Sequence, residues 1–332
     1  AGLVATQLQQ HQIMNQKAST RQRGAALLMA MLMVALVATF AAAAMWQQWR
    51  GIEIESTERQ AAQARWLLVG ALDWSRVVLR EDARSDASSG GTDNLSEPWS
   101  IPLQEAKLST FIAALPDGVS QGDEDSLAQQ VYLSGQISDL QARLNITNLY
   151  KNKSIDLSYL QTFQRLFSAL GLPDQELQSL VQGLVSSQLQ NPRAAPMPQR
   201  LSQLAWWGLS AQTIRKITPY VTLLPVATPI NVNTASALVL YAFIPNVSMA
   251  DAQQLVRLRE NAPWPDLNAF TKALGKNTTT LGLDQASVNT RYFEALGRLR
   301  MPQLTLLERS VLQRDNTNLK VLWRDSGYWA DF

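Results

Sequence analysis

Asp123, Glu124 and Asp125 form one run between Gly122 and Ser126, the densest set of carboxylates in the chain. Hard oxygens of this kind suit calcium, which collects about six to eight of them from carboxylates and carbonyls, so further ligands would have to converge from elsewhere. An exposed acidic loop is the ordinary meaning of such a run. Asp73 and Asp156, each isolated, are no better placed as ligands. The remaining chemistry is narrow. The chain has no cysteine, which excludes disulfides, thiolate metal sites and cysteine nucleophiles. Its single histidine, His11, lies in a polar N-terminal tail, leaving no imidazole elsewhere for a serine–histidine pair or a zinc set. An enzyme built from this sequence would have only carboxylates or a lysine to work with. No constellation of them stands out, so a non-enzymatic protein is expected and no catalytic residue is named.

The net charge of +2 is unevenly placed. Lys17, Arg21 and Arg23 precede an uncharged run with no acid among them, and without these three the chain has 26 basic against 27 acidic residues. Such a balance argues against a nucleic-acid binder, which needs a basic stripe.

From Ala25 to Trp49 no residue is charged, and Arg50 is the first that is. Twenty-five residues make about 37 Å of helix, enough for a hydrocarbon core of about 30 Å. Trp46 and Trp49 suit the membrane interface, and the cluster Lys17, Arg21, Arg23 places the N-terminus in the cytoplasm. A cleaved secretory signal is the alternative, with Ala41–Ala44 as a small-residue site, but its apolar core is usually about 7–15 residues. After Trp49 the helical spacing continues without proline through residue 81. Leu67, Ala71, Trp74 and Val78 fall on one stripe, expected to face a globular head.

Residues 84–97, RSDASSGGTDNLSE, read as a mobile loop. Residues 131–149 alternate well enough for two short strands, with Gly135 at a turn or bulge and Asp139, Asn145 and Asn148 as turn and cap residues. Helical periodicity then takes over from Tyr150 to about residue 285, with Asp174 as a cap after the break at Gly171-Leu172-Pro173. Strand-like alternation returns at Val288. The order helix, strands, helices, strands points to one sheet-bearing domain interrupted by an α-domain. Within the helical block, INVNTASALVLYAFIPNVSMADAQQLVRLR (230–259) reads as two helices around the turn Ile244–Ser248, with Asn233 and Thr234 as caps for the helix from Ala235. The pair resembles helix-hairpin-helix modules. Its hairpin, however, lacks the glycine that lets backbone N–H groups approach a phosphate, and its first helix has no lysine or arginine.

The basic residues, the glycine and the apolar helix running into an amphipathic one resemble the N-terminus of type IV prepilins and type II secretion pseudopilins. The segments GQISDLQARLNITNL, INVNTA, RYFEALGRLRM and LLERSVLQR follow in an order that resembles the K-type minor pseudopilin family from Arg23 to the end. The resemblance implies an α+β pseudopilin fold, a long N-terminal helix packed on an antiparallel sheet, with a large inserted all-α domain containing the helix-hairpin-helix-like pair. It divides the chain into a leader (1–24), a transmembrane helix (25–49), its periplasmic continuation (50–84), a first αβ part (85–149), the α-helical insertion (150–287) and the returning strands (288–332). Prepilin peptidase would cut between Gly24 and Ala25, leaving an N-methylated Ala25. Met29 stands where most of the family has glutamate. The structural motif would be Asn231, Asn233, Thr234 and Ala235.

The implied role is to cap and nucleate a pseudopilus at the inner membrane, with the bulk of the chain periplasmic. The implied partners are I- and J-type minor pseudopilins, H- and G-type ones through them, and the inner-membrane assembly platform. No nucleic acid and no required cofactor is expected. Calcium is implied by the resemblance, with Asp123, Glu124 and Asp125 as the nearest candidates. The alternative from another class is a membrane-anchored helix-hairpin-helix DNA-binding protein.

Overall fold

A computed structural model describes residues 3–113, 130–189, 195–275, 285–302 and 304–327. The chain divides into two compact units, residues 1–64 and 65–332. Helix α1, Leu3–Ser89, is continuous through its 87 residues and holds all that is described of the first unit. It is long and apolar enough to cross a membrane. Its side chains from Gly24 through Trp49 are exposed, including Met29, Phe40, Trp46 and Trp49.

In the second unit, Leu68, Leu72, Ser75 and Leu79 of α1 are buried. They lie one residue on from the expected stripe. Leu67, Ala71 and Val78 are half-buried instead, and Trp74 is 40% exposed. Apolar residues fill both adjacent stripes, so periodicity sets the spacing but not the rotation of the helix.

The strands are β1 (Leu103–Lys107), β2 (Tyr132–Asp139), β3 (Leu144–Asn145), β4 (Tyr150–Lys151), β5 (Ser154–Ile155), β6 (Val221–Thr222), β7 (Ile230–Asn231), β8 (Ala286–Ser287), β9 (Tyr292–Arg300), β10 (Thr305–Asp315) and β11 (Asn318–Gly327). Five of them form an antiparallel sheet in the order β1-β2-β9-β10-β11. Because β2 pairs with β9, everything between them is an excursion from the sheet. That excursion holds helices α3 (Leu157–Ala169), α4 (Asp174–Gln188), α5 (Ala211–Ile217), α6 (Ala237–Phe243), α7 (Met249–Asn261) and α8 (Leu267–Leu274), while the short α2 (Leu108–Ala113) follows β1. The α+β architecture with a helical insertion is therefore present. The insert has its own core, in which Phe163, Phe167, Leu180, Leu240 and Phe270 are buried together.

Gly135 is not a turn but stands beside a bulge, since the β1–β2 register shifts between Leu103, opposite Gly135, and Ala106, opposite Leu133. It lies in mid-strand opposite Gly297, where a Cβ would come 2.6 Å from the Leu296 carbonyl oxygen. A Cβ on Gly297 would come 2.8 Å from Leu68 Cδ1, so the missing side chain lets α1 settle on the sheet. Gly297→Val is expected to cost about 1–3 kcal/mol by overpacking, read as a lower urea midpoint with an unchanged m-value.

Two capping expectations are corrected. Asp174 is the first residue of α4, and Pro173 occupies the N-cap. The helix after INVNTA begins at Ala237 and is capped by Ser236, whose hydroxyl accepts from Val239 N, rather than by Asn233 or Thr234. Asp156 caps α3 by accepting from Ser158 N and Tyr159 N, a local role in place of a metal ligand's.

Candidate functional site: a buried polar joint

Thr234, expected as a cap, and Asn231 both donate to a carboxylate about 90 residues earlier in the chain. Asp139, at the end of β2, is buried and accepts four hydrogen bonds. Gln141 N and the Thr290 hydroxyl each donate to Oδ1 at 2.6 Å, while the Thr234 hydroxyl (2.5 Å) and Asn231 Nδ2 (3.0 Å) donate to Oδ2. The donors come from β2's exit, the INVNTA segment and the approach to β9, so one carboxylate ties both ends of the insertion to the sheet. Burial pushes its carboxyl above the ordinary value, and the four donors pull against that shift.

A second carboxylate extends the joint. Asp93 lies in the stretch expected to be a mobile loop, yet α1 runs on to Ser89 and Asp93 is buried. Thr290 N donates to its Oδ2 at 2.6 Å, and the Arg314 guanidinium donates to the same oxygen at 2.6 Å. Arg314 also reaches Asp82 Oδ2 at 2.9 Å and the Thr290 carbonyl at 2.9 Å, with its guanidinium 4.7 Å from the centre of the Phe293 ring. Burial pushes Asp93 up to about 7 against the pull of Arg314, and it pushes nearby Glu97 to about 7 as well.

Folding therefore takes up protons between the ordinary carboxyl values and about 7. The stability these groups contribute is full below the unfolded values and is lost as pH rises through about 7. A thermal melt of the protein should show a higher Tm at about pH 5 than at about pH 8.

Asn233 serves a third contact, donating to the Trp264 carbonyl (3.0 Å) and accepting from Trp264 N (2.9 Å). Arg259 of α7 donates to the Val232 carbonyl at 2.7 Å. Ala235 is fully buried among the insert's apolar residues. Asn145 and Asn148, expected as turn residues, also bind across the insert. Asn145 accepts from Leu224 N and donates to the Val226 carbonyl, and Asn148 exchanges two bonds with the backbone of Thr228.

Chemically the joint can hold segments together but has no nucleophile open to a substrate. Asp82, Asp86 and Asp93 bring carboxylate oxygens within 4.8 Å of one another, the spacing of a metal cluster. Arg314 already donates to two of the three, so oxygens that calcium would need face a fixed positive charge. These residues do not fit a calcium site. Asp123, Glu124 and Asp125 lie outside the described residues, and Asp73 pairs with Arg324 at 3.2 Å.

The hairpin between α6 and α7 is not built for phosphate. Arg165 of α3 donates to the carbonyls of Ala242 (2.6 Å) and Phe243 (3.2 Å), fixing the end of α6. At the N-terminus of α7, where an anion would sit, Asp251 forms a reciprocal cap with Ser248. Nothing in this geometry supports the DNA-binding alternative.

The N-terminal site residues belong to the other unit. Lys17, Arg21, Arg23, Gly24, Ala25 and Met29 lie along α1, and a Cβ at Gly24 would meet nothing within 4 Å.

Two family models match the chain, both described as type II secretion system protein K, one over residues 142–226 and the other over 230–289. A type II secretion system protein K of Pseudomonas aeruginosa is 27% identical over 92% of this chain and 93% of its own length. That of Klebsiella pneumoniae is 26% identical over 93% and 98%. Among solved structures, a chain of the GspK-GspI-GspJ complex from the enterotoxigenic Escherichia coli type 2 secretion system matches with a TM-score of 0.63. It is 19% identical, and the match covers 82% of this chain and 99% of that one, a likeness of fold.

Proposed function

We propose, from the premise that this chain belongs to the type II secretion system protein K family, that it is the minor pseudopilin at the tip of a pseudopilus. The observation that carries the reading is the joint. Asp139 and its four donors fasten the helical insertion to the sheet. A bulky helical insertion between two neighbouring sheet strands suits a subunit that ends a fibre better than one repeated along it. The chain would thus close the fibre at one end and start it from there.

The stem supports the same reading. Residues 1–24 act as a cytoplasmic leader removed by prepilin peptidase, and Ala25 becomes the methylated N-terminus of an inner-membrane helix with its bulk in the periplasm. The I- and J-type minor pseudopilins are its partners, as in the complex to which its fold is similar. No enzymatic activity is assigned: Asp139 and Asp93, the buried carboxylates of the joint, are committed to structural bonds.

Met29 bears on the tip position. A carboxylate inside a membrane helix costs about 2.5–3.5 kcal/mol unless a cation meets it. A subunit with none ahead has no neighbouring amino terminus to provide that cation, and methionine avoids the cost. Met29→Glu is therefore expected to lower recovery of a membrane-extracted complex with the I- and J-type partners by several-fold. Recovery equal to wild type would remove Met29 as support for the tip reading.

A further inference from the structure

Register places a positive patch, only partly compensated among the described residues, on the sheet face turned away from α1. The Gly297 Cα faces Leu68, so the flanking residues of β9 point to the other side. On that side Lys107, Tyr132, Arg300 and Thr305 lie directly opposite one another across β1, β2, β9 and β10. The next row on the same side holds Ser134, Arg298 and Leu307. Arg298 and Arg300 are two residues apart on β9, and Lys107 lies two strands away with Tyr132 between, about 10 Å from Arg300 at the backbone, so the three cations border one patch.

A single carboxylate answers these three cations. Glu105 accepts from Arg300 Nε (2.8 Å) and from its NH2 (3.1 Å), and both Arg300 and Arg298 hold its carboxyl below the ordinary value. Among the described residues no carboxylate lies within ion-pair distance of Lys107 or Arg298. Elsewhere on this face cations and acids are matched more closely. Glu294 pairs with Arg143 (3.4 Å) and Arg309 (3.2 Å), and Asp325 pairs with Arg200 (3.0 Å). The Arg300 and Glu105 side chains keep 39% and 40% of their surface in solvent, and Lys107 is exposed. The Arg300 guanidinium stands 4.3 Å from the centre of the Tyr132 ring, which holds it ready for a planar acceptor.

We propose that the face formed by Lys107, Arg298, Arg300 and Tyr132 docks an acidic segment of a protein partner, whose carboxylates pair with the two unmatched cations and share Arg300 with Glu105. Charge complementarity identifies the occupant. The fork of Arg298 matches a carboxylate in a paired contact, while Arg300 already holds Glu105 in that way and Lys107 adds a point charge. Three cations are too few for a duplex, where about 6–10 phosphate contacts are usual, and fewer than the about 4–8 basic residues of an anionic-lipid site. The proposal goes beyond the tip assignment and does not depend on it.

The test uses the full chain in neutral detergent and a fluorescein-labelled peptide of alternating glutamate and valine, followed by anisotropy at low salt. Binding is expected and should weaken as salt is raised. Lys107→Glu with Arg298→Glu should weaken it about tenfold, and Glu105→Gln, which removes the competing acid, should tighten it about threefold. If the double reversal lowers the melting temperature, Arg298→Gln against Glu105→Gln provides the same opposed signs without reversal. Three results would overturn the proposal: a glutamine–valine peptide that binds equally well, affinity indifferent to all these changes, or binding only to phosphatidylglycerol vesicles or an oligonucleotide.

Discussion

Asp139→Ala is expected to destabilise the residue 65–332 unit by about 3–5 kcal/mol. Truncation leaves Gln141 N and the Thr290, Thr234 and Asn231 side-chain donors facing a cavity where two carboxylate oxygens had been. Each buried donor left without a partner costs about 1–3 kcal/mol, and relaxation of the two threonine hydroxyls recovers part of the total. Asp139→Asn should fall short of the alanine change, because its oxygen still accepts while its amide meets the donors of Asn231 and Thr234. Chemical denaturation of both variants measures this. The joint would be shown not to hold the insertion if Asp139→Ala lost less than about 1 kcal/mol.

Gly24→Ala is expected to abolish removal of the leader while leaving the helix intact. The glycine lies in the interior of α1, and a Cβ there meets nothing within 4 Å, so alanine adds no clash. Alanine is also the better helix former by about 1 kcal/mol, so the folded stem should be at least as stable. A loss of processing then reports on recognition by the peptidase and not on folding. The expected result is a chain that retains the residues before Ala25, stays in the membrane fraction and does not support secretion. Normal mobility of the variant would count against cleavage at this bond.

Much of this architecture could be read locally. The apolar stretch from Ala25 to Trp49, the alternation around β2 and β9, and the helical periodicity between them are short-range patterns, and short-range patterns were enough for the α+β class with an insertion. The joint was not legible, because its bonds span long separations. Asp93 and Arg314 are 221 residues apart, and nothing near Asp93 in RSDASSGGTDNLSE distinguishes a buried anchor from loop polarity. INVNTA was visible as a motif, but its asparagines have local roles available to them, and local capping is what spacing predicts. Only the position of Asp139 shows that Asn231 and Thr234 also serve a distant carboxylate, while Asn231 Oδ1 keeps a local bond from Asn233 N. The rotation of α1 was hidden for a different reason. Leu67 and Leu68 begin adjacent stripes that are both largely apolar, and the close approach at Gly297, far along the chain, selects the second although it carries Ser75.

The mature N-terminus, determined by mass spectrometry on protein extracted from membranes, tests the central claim most directly. A chain beginning at Ala25, carrying one added methyl group on its amine and retaining the whole apolar helix, is the predicted result. A chain that keeps residues 1–24, or one trimmed beyond the apolar run near Ala44, would contradict the assignment as a pseudopilin.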